Sequence, residues 1–92
     1  MNYKPIKEKF TREGYTHTLL KRKGDVAIYE QRKTKINVAY EVIVISRHDG
    51  YTLGGAYIEP AETYPSNSEW GVKGFTYRDL TKAEEKFNSL VK

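Results

Sequence analysis

Few side chains in this sequence are of a kind that does covalent or acid–base chemistry. Its 92 residues include two histidines, His17 and His48, and no cysteine. The missing thiol excludes a cysteine nucleophile, a disulfide framework and a thiolate zinc site. His17 lies in a run of β-formers and His48 stands before Asp49 at a turn signal, so neither fits a Ser/His/Asp arrangement or a metal-binding cluster. Both read as structural: a partly exposed strand histidine and a turn histidine. Glu59, Glu62 and Glu69 are near enough in sequence to pair as acid and base, but no His, Lys or phosphate cradle accompanies them. Gly71 and Gly74 form a Gly-x-x-Gly without the following Lys-Ser/Thr of a phosphate loop, which makes them a packing feature. The expectation is therefore no enzyme, no cofactor and no metal.

Charge points to binding instead. The net charge is +4, but residues 1–35 hold ten Lys and Arg against four acids, and residues 36–92 hold six against eight. Lys21, Arg22, Lys23, Arg32, Lys33 and Lys35 are the candidate nucleic-acid contacts, placed at adjacent hairpin ends, with Tyr15 or Tyr29 available to stack on bases. Between His48 and Val72 the only charges are Asp49, Glu59, Glu62 and Glu69. Together with Tyr57 and Tyr64 these acids are the candidate protein-interaction surface, suited to a basic groove. Eight tyrosines suit a thin core whose rings reach the surface, and equally a binding face.

The elements that must position these residues follow from patterning. Residues 38–47 are the centre: Val42, Ile43, Val44 and Ile45 are consecutive apolar residues, so both faces of a strand there need cover, and Glu41 is the single acid in the run. Residues 15–20 and 26–31 read as two strands joined by a basic tip at Lys21-Arg22-Lys23-Gly24-Asp25. Asp49-Gly50 predicts the next hairpin turn, returning Tyr51-Thr52-Leu53 and Ala56-Tyr57-Ile58 beside the central strand, with Gly54-Gly55 as a bulge or a bend between them. Pro60, Pro65 and Ser66-Asn67-Ser68 mark the longest loop, and residues 70–77 a last strand. Thr81-Lys82-Ala83-Glu84 fits a capping box opening a helix from about Lys82, with Ala83, Phe87, Leu90 and Val91 on its apolar face.

The resulting expectation is one α+β domain of residues 1–92: an antiparallel sheet of four to five strands with a C-terminal helix packed across one face. Residues 1–14 are a short helical turn or an extended arm. The second sheet face is closed by Ile6 and Phe10 of that arm or by a second copy, so monomer and homodimer are both open. No run approaches the ~20 apolar residues of a membrane span and no signal-peptide pattern opens the chain, which gives the expectation of a cytoplasmic protein without membrane contact.

Pro65-Ser66-Asn67, Trp70-Gly71, Phe75-Thr76-Tyr77 and Ala83 to Phe87 together resemble a pattern in small proteins of bacteriophages and mobile elements. The resemblance implies a source and no activity. Trp70-Gly71 is also similar, more weakly, to the WGR domain, a nucleic-acid-binding module, but Val72 stands where that motif has arginine, so its DNA-facing role does not carry over. The function expected is a small interaction protein that binds, and in one form inhibits, a host protein or nucleoprotein, such as a component of bacterial defence (an anti-CRISPR-like role). The alternative is a nucleic-acid-binding module using the basic tips.

Overall fold

The computed structural model describes residues 2–91. Its frame is a five-stranded antiparallel sheet in the order β1-β2-β3-β4-β9, built from β1 (Lys9–Arg12), β2 (Tyr15–Lys23), β3 (Val26–Arg32), β4 (Val38–Val44) and β9 (Gly74–Tyr77). The helix α1 (Leu80–Leu90) packs across β3, β4 and β9. This is the α+β arrangement expected, with β4 flanked on both sides as its unbroken apolar run requires.

Alternation along the strands sorts the core into two layers. On the helix side, Val26, Ile28 and Val42 meet Ala83 and Phe87, with Tyr40, Tyr77, Leu90 and Val91 around them. On the other side, Ala27, Tyr29, Ile43 and Ile45 are covered by Ile6, Phe10, Leu19, Tyr64 and Trp70. The second face is thus closed by the chain itself. Residues 2–14 supply an extended arm and β1, a sheet-edge strand, rather than a helical turn.

Several local expectations are corrected. β2 continues through Lys23, so Lys21, Arg22 and Lys23 belong to the strand and only Gly24 and Asp25 turn. A bulge between Leu19 and Lys21 resets the register and puts Lys21 Nζ 4.9 Å over the Phe87 ring. The central strand stops at Val44, and Arg47 lies in the next element. The Asp49-Gly50 pair is a kink and not the hairpin turn: β5 (Ser46–His48) pairs with β8 (Ala61–Thr63), and β6 (Tyr51–Leu53) pairs with β7 (Ala56–Ile58). Gly54 and Gly55, both at positive φ, make the turn between β6 and β7. Two adjacent residues at positive φ are what a tight twisted hairpin needs, and Gly-Gly supplies them at no steric cost. The last strand begins only at Gly74, because residues 67–73 form a 3₁₀ turn and a reversal. The helix starts two residues early: Asp79 caps it by accepting from the Thr81 amide at 2.8 Å, and Leu80 is already helical. An ionised carboxylate outcompetes a hydroxyl for those orphan amides.

Candidate functional site

Residues 46–63 leave the sheet as a two-stranded ribbon. In the β6-β7 pairing Tyr51 faces Ile58 and Leu53 faces Ala56, so these four side chains share one face. Leu53 is 66% exposed and Tyr51 48%, while Tyr57, on the opposite face, is 64% exposed. An isolated two-stranded hairpin is marginal in water, so this one needs an anchor.

The anchor is a charged clamp at its base. Arg22 grips Glu62 with two bonds, Nη1 to Oε1 at 2.8 Å and Nη2 to Oε2 at 2.7 Å. Arg47, directly across the ribbon from Glu62, donates to both Asp25 oxygens at 2.7 and 2.9 Å and to Glu62 Oε2 at 3.0 Å. The β2-β3 turn and the ribbon are thereby joined through alternating charges. The Arg22 guanidinium holds the Glu62 carboxyl down at about 2, and the Arg47 guanidinium lowers that of Asp25. The arm adds a third attachment: the Lys4 amide donates to the Pro60 carbonyl, the Glu62 amide to the Lys4 carbonyl, and the Ile6 amide to Glu62 Oε1. Tyr3 donates to Asp49 Oδ1 at 2.6 Å, which raises the phenol's pKa.

These contacts redistribute both candidate surfaces. Arg22 of the basic set and Glu62 of the acidic set hold each other. Arg32 is paired with Glu30 at 2.9 Å, and Lys33 lies over the Tyr15 ring at 5.5 Å. Lys23, Lys33 and Lys35 are exposed, but the two basic tips stand at opposite ends of the seven-residue β3, about 20 Å apart, and are not adjacent. Tyr29 is fully buried, pushed up to about 12 by that burial, and is not free to stack. In the acidic set, Glu69 accepts from the Ser66 amide and pairs with Lys73 at 3.4 Å, and Asp49 holds Tyr3. Tyr64 lies inside the second core layer, so Tyr57 and Glu59 are the members left facing outward.

One constellation escaped the sequence reading. His17 is 2% exposed and Glu41 7%, so His17 is a core residue and not a partly exposed one. Its Nδ1 lies 3.2 Å from the Tyr15 carbonyl and its Nε2 3.2 Å from Glu41 Oε1. Tyr64 donates to the same Glu41 oxygen at 2.5 Å, and its pKa is raised by burial and by the Glu41 charge. Phe10 stacks on the His17 ring at 4.7 Å and seals it from one side. From the other side a cleft of about 200 Å³ opens, lined by Arg12, Glu13, His17, Gln31, Glu41, Asn67 and Trp70. The signal for it was Glu41: a lone acid in an apolar central strand must find a buried partner. His48, by contrast, sits at the ribbon kink, its Nδ1 accepting from the Gly50 amide at 3.2 Å. Among the described residues no group of three His or acidic side chains is placed to hold a metal, and no helix is long and apolar enough to cross a membrane. Compared with known proteins, the chain matches no family model, no curated protein and no solved structure.

Proposed function

We propose that the chain is a small non-enzymatic interaction protein, of the phage or mobile-element kind its C-terminal pattern resembles, that binds a protein of its host through the 46–63 ribbon. The observation that carries this reading is the uncovered apolar face of the distal hairpin, with Leu53 two-thirds exposed on a ribbon anchored by a four-residue charged clamp and by the arm. Holding such a ribbon rigid lowers the entropy lost on docking, and Tyr and Leu side chains suit an apolar groove on a partner. Charge serves the clamp more than the partner, because Glu62, Glu69 and Asp49 are already engaged within the chain. Binding of this sort inhibits by occupying a surface, and a host defence component is one concrete target.

The test uses the intact protein as bait in host lysate beside a Tyr51→Asp/Leu53→Asp variant, with sedimentation of each to detect self-association. The expected result is one saturable protein partner held by the parent and lost by the variant, whose circular dichroism is unchanged. Equal recovery by both, no saturable partner, or a parent that only pairs with itself through this face would overturn the reading.

A further inference from the structure

The cleft over the His17-Glu41-Tyr64 cluster has chemistry that the ribbon does not use. Glu41 is more than nine-tenths buried, and its Oε1 is taken by Tyr64 and His17, but among the described residues Oε2 has no partner. Among the described residues no sealed side-chain atom lacks a partner, so this oxygen is open to the outside, and Glu41 lines the cleft. Gln31, half-buried beside His17 in the adjoining strand, adds a carboxamide with its own acceptor. Gln31 and Glu41 are diagonal neighbours on one face of adjoining strands and both line the cleft, an arrangement that suits a ligand with two adjacent donors.

The walls are equally specific. On one side stand Arg12 and Glu13 from the β1-β2 turn. Glu13 is the one non-glycine residue at positive φ among those described (+54°), so its side chain is held at the lip by a strained turn. Arg12 is steadied by the Pro65 carbonyl and by Asn67 Oδ1, each at 3.3 Å, which leaves further guanidinium donors for a ligand. On the other side is Trp70, its indole nitrogen donating to Thr76 at 3.0 Å and its ring seated on Gly74, where a Cβ would come within 2.5 Å. Beyond Arg12 lies its cross-strand neighbour Tyr15, with the Lys33 ammonium 5.5 Å over the ring, so a second cation stands outside the lining on the Arg12 side.

We propose that this cleft binds a guanine base carried on a nucleoside 5′-phosphate or on a single strand. Guanine is the common base with two neighbouring donors on one edge, N1–H and the N2 amino group, which meet Glu41 Oε2 and the Gln31 carbonyl. Its opposite edge offers the O6 and N7 acceptors that suit an arginine. Adenine and cytosine turn a ring-nitrogen acceptor toward the carboxylate instead, and uracil has one donor between two acceptors. Trp70 supplies the apolar wall, Glu13 an acceptor for sugar hydroxyls, and Arg12 with Lys33 the charge for a phosphate. The cleft volume of about 200 Å³ is enough to admit one base.

Trp70 is the only tryptophan, so its emission reports directly on the site. The intact protein is titrated with GMP, AMP, CMP and UMP, and with single-stranded RNA that contains or lacks guanine, following Trp70 emission and amide NMR shifts. The expected result is a saturable response at His17, Gln31 and Trp70, with GMP favoured over AMP by about tenfold or more. Glu41→Gln and Gln31→Ala should each remove that preference. If Glu41→Gln fails to fold, Gln31→Ala, on a half-buried position, carries the comparison alone. A response to GMP identifies a nucleotide site, and a response only to guanine-bearing strands identifies a strand site; both sustain the proposal. No saturable response to either, equal responses to GMP and AMP, or selectivity unchanged in Gln31→Ala would overturn it.

Discussion

Replacing Glu62 by glutamine keeps the side chain's shape and removes its charge from the middle of the clamp. The Glu62 side chain is 9% exposed, and Arg22 and Arg47 reach it at 2.7 and 3.0 Å. With the carboxyl held near 2 in place of its ordinary 4.5, the ceiling on its linked stability at neutral pH is about 3.4 kcal/mol. The arginine side chains are 27% and 34% exposed, so solvent screening reduces this to about 1–2 kcal/mol. The folded-state pKa is depressed, so this contribution is complete above the unfolded value and is lost as pH falls from about 5 to about 2. Urea denaturation of parent and Glu62→Gln across that range, followed by Trp70 emission, measures it directly. The parent should be the more stable by about 1–2 kcal/mol at pH 7, and the two curves should converge near pH 2. Carboxylates outside the clamp titrate in both proteins and cancel in the difference, whereas Asp25, which shares Arg47 with Glu62, contributes a smaller coupled change. Parallel curves throughout, or a gap below about 0.5 kcal/mol at pH 7 in low salt, would refute the clamp as the ribbon's anchor.

Phe87→Ala empties the centre of the helix-side core, where Phe87 is 2% exposed, and should cost about 3–5 kcal/mol in chemical denaturation. Gly74→Ala drives a methyl into the Trp70 ring and should cost about 1–3 kcal/mol, with a shift in Trp70 emission as the indole is displaced. Glu13→Gly relieves a left-handed turn residue and should stabilise by up to about 1 kcal/mol in thermal unfolding.

What was legible in the sequence was what periodicity controls. The unbroken run Val42 to Ile45 demanded a covered central strand, and the spacing of Ala83, Phe87 and Leu90 demanded a helix lying on the sheet. Both are met because each is a statement about one element and one layer. Boundaries were less legible where two local signals compete. Asp49-Gly50 and Gly54-Gly55 both permit a tight turn, and the ribbon uses the second because two positive-φ residues in succession close it, while Gly50 alone allows only a bend. Likewise Asp79 and Thr81 both cap, and the charged group prevails.

The site residues were the least legible, for a reason that lies in separation along the chain. Arg22 and Glu62 are forty residues apart, and no local pattern tells that a basic strand and an acidic segment will neutralise each other. Composition treated them as two surfaces offered to two partners, and folding spent both on one clamp. The same pairing decides what remains available. With the long-range charges consumed internally, the chain presents to its surroundings an apolar ribbon face and a polar cleft, each held in place by contacts between residues far apart in sequence. Any variant that loosens the clamp should therefore weaken ribbon binding without touching Leu53, whereas one that disturbs the cleft at Gln31 should leave the ribbon unaffected. Independence of these two effects follows from geometry: the clamp joins the β2-β3 turn to the ribbon, and the cleft opens beside the β1-β2 turn at the other end of β2.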